Sequence, residues 1–81
     1  MHVPFSEALE QLKAGYKAFR AGWNGTGLHV KLQTPDAGSK MTLPYIYIEY
    51  PVGSKAYPAG ARVPWLASQT DLLMDDWIVV A

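Results

Sequence analysis

The N-terminal segment shows the spacing of an amphipathic helix. Apolar side chains recur there at intervals of three or four residues and share one helical face: Phe5, Ala8, Leu9 and Leu12. Ser6 can accept a hydrogen bond from a free backbone N–H of the first turn. Gly15 tolerates the left-handed backbone that closes a helix. These signals predict a helix over residues 6–14.

Two short strands are predicted next, over residues 16–20 and 28–33. In the second strand the apolar Leu28, Val30 and Leu32 alternate with polar residues, so that one face is apolar and the other polar. The intervening Asn24-Gly25 pair is typical of a hairpin turn, because both residues tolerate positive φ. We therefore expect a hairpin whose tip carries Trp23 and Asn24.

The C-terminal half alternates between predicted elements and loops. Residues 45–50 alternate as a strand, and residues 77–80 are apolar throughout, which predicts a strand buried on both faces. Residues 34–42 and 51–62 are interrupted by Pro and Gly and are predicted to be irregular. Ser68 or Thr70 can cap a short helix near residues 71–75. The order of elements predicts one domain, residues 1–81, of α+β class, with a small antiparallel sheet packed against the N-terminal helix.

The amino-acid composition argues against several classes of protein and site. The chain is 49% apolar and 17% charged, which excludes a disordered segment. Seven Lys and Arg balance seven Asp and Glu, and this zero net charge argues against a general DNA or RNA binder. The absence of cysteine excludes disulfides, thiolate catalysis and Cys-type zinc sites. A small domain without such cross-links is expected to be homo-oligomeric.

No apolar run is long enough for a membrane span and no signal peptide is recognisable, so a cytoplasmic protein is expected.

The sequence offers little for catalysis. His2 and His29 have no triad-like context. Three carboxylates lie close together in the chain, at Asp71, Asp75 and Asp76, but a negative helix start with solvated charges explains them better than a metal site. We therefore predict no catalytic residue, no metal and no cofactor.

Groups suited to binding a nucleotide are more abundant. There are three Trp, five Tyr and two Phe, more rings than one small core readily hides. Arg20 and Arg62 carry guanidinium groups that can fork onto a phosphate. Further side chains can hydrogen-bond ribose hydroxyls or base edges: Asn24, Ser68, Gln69 and Thr70. Rings, hydrogen-bonding groups and a little positive charge favour a binding site over a catalytic one.

Two motifs resemble a known family. The first consists of Phe5-Ser6-Glu7-Ala8-Leu9, then Leu12-Lys13-Ala14-Gly15, then Arg20-Ala21-Gly22-Trp23-Asn24-Gly25. The second consists of Val63-Pro64-Trp65-Leu66-Ala67-Ser68-Gln69-Thr70-Asp71-Leu72-Leu73, followed by Asp75-Asp76-Trp77. Together they resemble the second type of Thoeris anti-defence protein, a family of small phage and prophage proteins.

The resemblance implies a function and a set of roles. It implies a homotetramer with pockets between subunits, which sequesters glycocyclic ADP-ribose without cleaving it. It also implies that some members take up cyclic dinucleotides, at a separate place in the same assembly. Under this hypothesis Trp23, with Trp65 or Phe5, stacks on adenine or flanks the ribose, and Arg20 pairs with the pyrophosphate. Hydroxyls or base edges are then bound by Asn24, Ser68, Gln69, Thr70 and Asp71. The alternatives are a hydrolase or phosphodiesterase of nucleotide signals, which would need a metal or an activated water, and a small phage protein-interaction module.

Overall fold

The computed structural model describes residues 1–23, 27–54 and 57–81. These residues form two helices, α1 (Phe5–Lys13) and α2 (Gln69–Leu73), and five strands: β1 (Lys17–Arg20), β2 (His29–Gln33), β3 (Tyr45–Glu49), β4 (Arg62–Pro64) and β5 (Trp77–Val80). The predicted Asn24-Gly25 turn lies outside the described residues.

The strands form one antiparallel sheet in the order β4-β3-β2-β1-β5. Helix α1 packs against β1, β2 and β5, and it also contacts α2. The expected α+β architecture, an antiparallel sheet packed against an N-terminal helix, is therefore confirmed. Because β5 pairs with β1, the end of the chain returns to the strand that follows α1, and Arg20 lies opposite Trp77.

The hydrophobic core lies between α1 and one face of the sheet. Its fully buried members come from the helix and from three strands: Ala8, Leu12, Ala18, Val30 and Trp77. The partly buried Leu28, Leu32 and Ile46 pack against this core, as the alternation of β2 and β3 predicts. Along each strand the intervening residues face the opposite side, which α1 does not cover.

Four predictions about elements need correction. Helix α1 begins at Phe5 with Pro4 as its N-cap, so Ser6 lies inside the first turn. Pro is favourable at this end because a helix start has no partner for the N–H that Pro lacks. Helix α2 is capped by Ser68 and ends at Leu73, which leaves Asp75 beyond it.

The other two corrections concern strands. The sequence did not predict β4, because it has only three residues and ends at Pro64. Strand β5 is an edge strand rather than one buried on both faces. Only Trp77 in it is buried, and Ile78, Val79 and Val80 are partly exposed. Val3 forms a single bridge on its outer edge, at Trp77.

Candidate functional site

A cluster of four aromatic rings lies where the start of α1, the end of β1 and the start of β5 meet. Trp77 is fully buried at its centre. The ring centroids of Phe5, Trp23 and Trp65 lie 5.1, 5.3 and 5.8 Å from that of Trp77. The Trp23 and Trp65 rings meet edge to face, at 6.4 Å and 66°. Such tilted contacts suit the charge distribution of aromatic rings and add about 0.5–1.5 kcal/mol per pair beyond the buried area.

Asp71 connects the rings to the polar part of the site. Its backbone carbonyl accepts a hydrogen bond from Trp77 Nε1 at 2.8 Å. Its carboxylate Oδ1 accepts from Trp23 Nε1 at 3.3 Å and from Arg20 Nη1 at 2.9 Å. Two of the three indoles are thus fixed by one residue, which is itself only 8% exposed.

The position of Asp71 is set by the N-terminus of α2. Ser68 Oγ accepts from the Asp71 backbone N–H at 3.0 Å, and Asp71 Oδ2 accepts from the Ser68 backbone N–H at 3.0 Å. This reciprocal capping box satisfies two backbone donors that the helix itself cannot satisfy. Ser68 therefore acts on the site through Asp71, and this role is visible in the spacing Ser-x-x-Asp alone.

Arg20 lies between two carboxylates. Its Nη1 donates to Asp71, and its Nε and Nη2 donate to Asp76 Oδ1 and Oδ2 at 2.9 and 3.3 Å. The three side chains are 11%, 12% and 17% exposed for Arg20, Asp71 and Asp76. Asp76 Oδ2 also accepts from the Gly22 backbone N–H at 3.1 Å, which ties the turn after β1 to the start of β5.

These contacts keep all three groups charged near neutral pH. The hydrogen bonds to Asp76 and then Asp71 raise the pKa of Arg20 above its ordinary value. The pKa of Asp76 is lowered, chiefly by the hydrogen bond from Arg20. Burial alone would raise the pKa of Asp71, but hydrogen bonds from the Ser68 backbone and from Arg20 bring it below its ordinary value. The three groups carry one positive and two negative charges, so this part of the site is net negative.

The structure brings most of the predicted binding residues together. Phe5, Arg20, Trp23, Trp65, Ser68 and Asp71 belong to this one cluster. Gln69 and Thr70 are exposed in the first turn of α2, next to Ser68. Asn24 lies outside the described residues. Asp76 was missed as a member of the site, although a semi-buried Arg20 must have a carboxylate partner and Asp76 directly precedes a predicted strand.

An open apolar groove of about 470 Å³ adjoins the ring cluster. Phe5 and Trp65 belong to both features, so the groove and the cluster form one continuous surface. The other walls of the groove come from α1, the sheet and α2, and include Leu9, Leu32, Ile46 and Leu72. Leu72 and the neighbouring Leu73 are exposed, at 47% and 77%.

Two carboxylates of the site bind Arg20. In the described part of the chain, no group of three or more His, Asp or Glu side chains is arranged to hold a metal. Asp71 and Asp76 bind Arg20 instead, and Asp75 is exposed.

None of the helices formed by residues 1–23, 27–54 and 57–81 could cross a membrane.

Comparison with known proteins identifies the family. Residues 3–80 match the family model of the Tad2-like, Thoeris anti-defense 2-like domain. A protein named Thoeris anti-defense 2, from Bacillus phage SP01, is 39% identical over 85 aligned positions, which cover 98% of this chain and 96% of that protein. The chain therefore belongs to the Thoeris anti-defense 2-like family, which confirms the resemblance of the two motifs.

Proposed function

We propose that this chain is a phage anti-Thoeris protein that binds a glycocyclic ADP-ribose signal and holds it intact in the cytoplasm of the infected host. The observation that carries the proposal is the joining of stacking rings, hydroxyl acceptors and one guanidinium in a single cluster centred on Asp71. Family membership supports the anti-defence role, and the chemistry of the cluster supports the class of ligand.

The rings supply the contact for the adenine. Trp23 and Trp65 are both partly exposed, so each keeps ring surface for a ligand. Trp23 is held by its Nε1 bond to Asp71 and by Trp77 behind it, so little side-chain freedom is lost when a base stacks on it. Stacking of a base on an aromatic side chain contributes about 1–3 kcal/mol.

The polar groups favour hydroxyls over phosphates. Asp71 Oδ2 has one described donor, the Ser68 N–H, and a carboxylate oxygen can accept two, so it can also bind a ribose hydroxyl. Arg20 has three of its N–H groups engaged by the two aspartates and can offer the remaining two to one side of the pyrophosphate. Because the group around Arg20 is net negative, we propose that further cations for the pyrophosphate come from another copy of the chain.

A second copy would also close the site. One 81-residue chain leaves the groove beside Phe5 and Trp65 open. A ligand of nucleotide size reaches nanomolar affinity, about −12 kcal/mol, only when most of its surface is enclosed. We therefore propose a homotetramer in which the groove of one copy is covered by its neighbour. Cyclic dinucleotides are the second class of ligand that the family resemblance implies.

Hydrolysis of the signal is the alternative function, and the charge states of the site argue against it. A general base is most effective when its pKa lies near the working pH. The pKa values of Asp71 and Asp76 are lowered and that of Arg20 is raised, so none of the three exchanges protons readily near neutrality. The three groups keep their charges near neutral pH, which suits the binding of a ligand rather than proton transfer.

Calorimetric titration with glycocyclic ADP-ribose tests the proposal. Trp23→Ala should weaken binding by about 1–3 kcal/mol through lost stacking. Tyr16→Ala is the matched control, because Tyr16 is an exposed ring next to the opposite end of β1 and should leave affinity unchanged. Equal affinities of the two folded variants, or no heat of binding to the unmodified protein, would contradict the proposal.

A further inference from the structure

The guanidinium of Arg20 is already partly occupied in the folded chain. A guanidinium binds a phosphate most strongly when two of its parallel N–H groups meet two oxygens. Asp76 occupies one such pair, because it accepts from Nε at 2.9 Å and from Nη2 at 3.3 Å. Asp71 accepts from a third N–H group, on Nη1, at 2.9 Å. A phosphate that approaches Arg20 therefore meets a cation with most of its hydrogen bonds already made.

Asp76 is fixed in this position from a second side. Its Oδ2 also accepts from the Gly22 backbone N–H at 3.1 Å, and its backbone carbonyl accepts from the Ala21 N–H at 2.9 Å. A Cβ at Gly22 would lie 3.1 Å from Asp76 Oδ2 and 3.6 Å from Arg20 Nη2, so the turn after β1 lies directly against the ion pair. A ligand cannot displace Asp76 from Arg20 without breaking these backbone contacts as well.

The charge of this group is unbalanced. Within residues 1–23, 27–54 and 57–81, the ion pairs of Arg20, Asp71 and Asp76 join only these three side chains. One positive and two negative charges leave an excess of one negative charge. An anion that reaches Arg20 is thus brought close to two carboxylates, and like charges placed together in this way discriminate against wrong partners.

Nucleotides differ in the charge that they would bring to Arg20. A phosphate that is bridged on both sides, as in the pyrophosphate of a cyclic ADP-ribose, carries one negative charge. The terminal phosphate of ADP or ATP is bridged on one side only and carries up to two near neutral pH, because the second ionisation of such a group has a pKa of about 6. The additional charge would lie against Asp71 and Asp76.

We propose that Asp76 is a specificity-determining residue, which keeps Arg20 from binding terminal phosphate groups and so excludes ADP, ATP and similar nucleotides from the site. This inference rests on the proposed function, because it concerns the same site. A protein that sequesters a scarce signal must not be filled by the abundant nucleotides of the cell. Asp76 acts through Arg20, and it is therefore a positioning residue rather than a contact of the ligand.

Calorimetric titration with ADP and with its β-methyl ester tests the proposal, because the two ligands differ by one methyl group and one negative charge. The unmodified protein should bind the ester roughly tenfold more tightly than ADP, because the additional charge meets a net negative group. In Asp76→Asn the group is neutral, and the two affinities should agree within about twofold. If Asp76 only supported the fold, its loss would weaken both ligands equally and leave their ratio unchanged.

Asp75→Asn is the matched control. It removes the same charge from the preceding residue, whose side chain is exposed and makes none of the described contacts of Arg20. This variant should keep the preference for the ester, and so should Asp76→Glu, which retains the charge. Circular dichroism reports whether each variant is folded, and the comparison in the unmodified protein decides the matter if Asp76→Asn is not.

The proposal is overturned if the unmodified protein binds ADP as tightly as the ester, if it binds neither, or if folded Asp76→Asn shows the same ratio as Asp75→Asn. Each of these results can occur while glycocyclic ADP-ribose still binds, and then the proposed function stands and only the role of Asp76 fails. Absence of glycocyclic ADP-ribose binding would refute the proposed function whatever the ratio of the two linear ligands.

Discussion

Substitution of Arg20 by leucine tests the physical basis of the site. The change removes the cation that lies between Asp71 and Asp76 and leaves two carboxylates facing an apolar side chain. It also removes three hydrogen bonds, from Nε, Nη1 and Nη2. We expect the free energy of unfolding to fall sharply at neutral pH, because semi-buried carboxylates without a partner are poorly solvated.

The magnitude follows from the exposure of the three side chains. Removal of one partner from a buried ion pair costs about 3–5 kcal/mol, whereas exposed pairs contribute about 0–1 kcal/mol. The three side chains keep 11–17% exposure, close to the buried limit. We therefore expect a loss of about 2–4 kcal/mol. Domains of this size have a total stability of roughly 4–12 kcal/mol, so the variant should remain folded but marginal.

The pH dependence gives a second, independent signature. The pKa values of both aspartates are lowered in the folded protein, so the stability that they contribute is present above the ordinary Asp pKa and is lost as the pH falls through the lowered values. Arg20→Leu removes the hydrogen bond that is the main cause of the lowered pKa of Asp76. The difference in stability between the two proteins should therefore be large at neutral pH and shrink in acid.

Urea unfolding followed by tryptophan fluorescence, at neutral pH and near pH 3, measures both quantities. Arg20→Lys is the matched variant, because it keeps the charge but cannot bridge both carboxylates. Its free energy of unfolding should lie between those of the unmodified protein and Arg20→Leu. The reasoning is refuted if Arg20→Leu is as stable as the unmodified protein at neutral pH, or if the difference between them grows in acid.

Three further predictions concern the supports of the cluster and can be tested by the same unfolding assay. Trp77→Phe should cost about 2–3 kcal/mol, because it leaves a cavity and an unpaired carbonyl at Asp71; a loss under about 1 kcal/mol would contradict this. Ser68→Ala should cost about 1 kcal/mol through the lost cap, and an unchanged midpoint would argue against the capping box. Gly22→Ala should cost about 1 kcal/mol, because the new Cβ would lie 3.1 Å from Asp76 Oδ2; a neutral result would show that the turn can shift freely.

Local patterns predicted the helix and the central strands well. The face of α1 and the alternation of β2 and β3 are fixed by burial on one side of each element, and that burial leaves a periodic signal. The edge of the sheet was predicted less well. Strand β4 is too short to show a period, and the apolar run of β5 reflects one buried tryptophan and three partly exposed residues at an edge.

Several residues of the cluster could be grouped from the sequence, but the contacts that join them could not be predicted. Rings and polar residues of two motifs could be grouped from the sequence, and the structure brings Trp23, Trp65 and Asp71 together. The pairing of Arg20 with Asp76 spans 56 residues of the chain, and no local pattern encodes it. It follows from the pairing of β1 with β5, which is a tertiary feature, and it changes the electrostatics of the site from positive to net negative.

The fate of the bound signal tests the central claim most directly. Purified protein is incubated with glycocyclic ADP-ribose, freed of unbound ligand, and heat-denatured, and the released compound is identified by mass spectrometry. Our account predicts that glycocyclic ADP-ribose is recovered intact, in proportion to the binding sites found by calorimetry. Recovery of a cleaved product would show that the protein is an enzyme, and recovery of no nucleotide would show that it does not hold this signal.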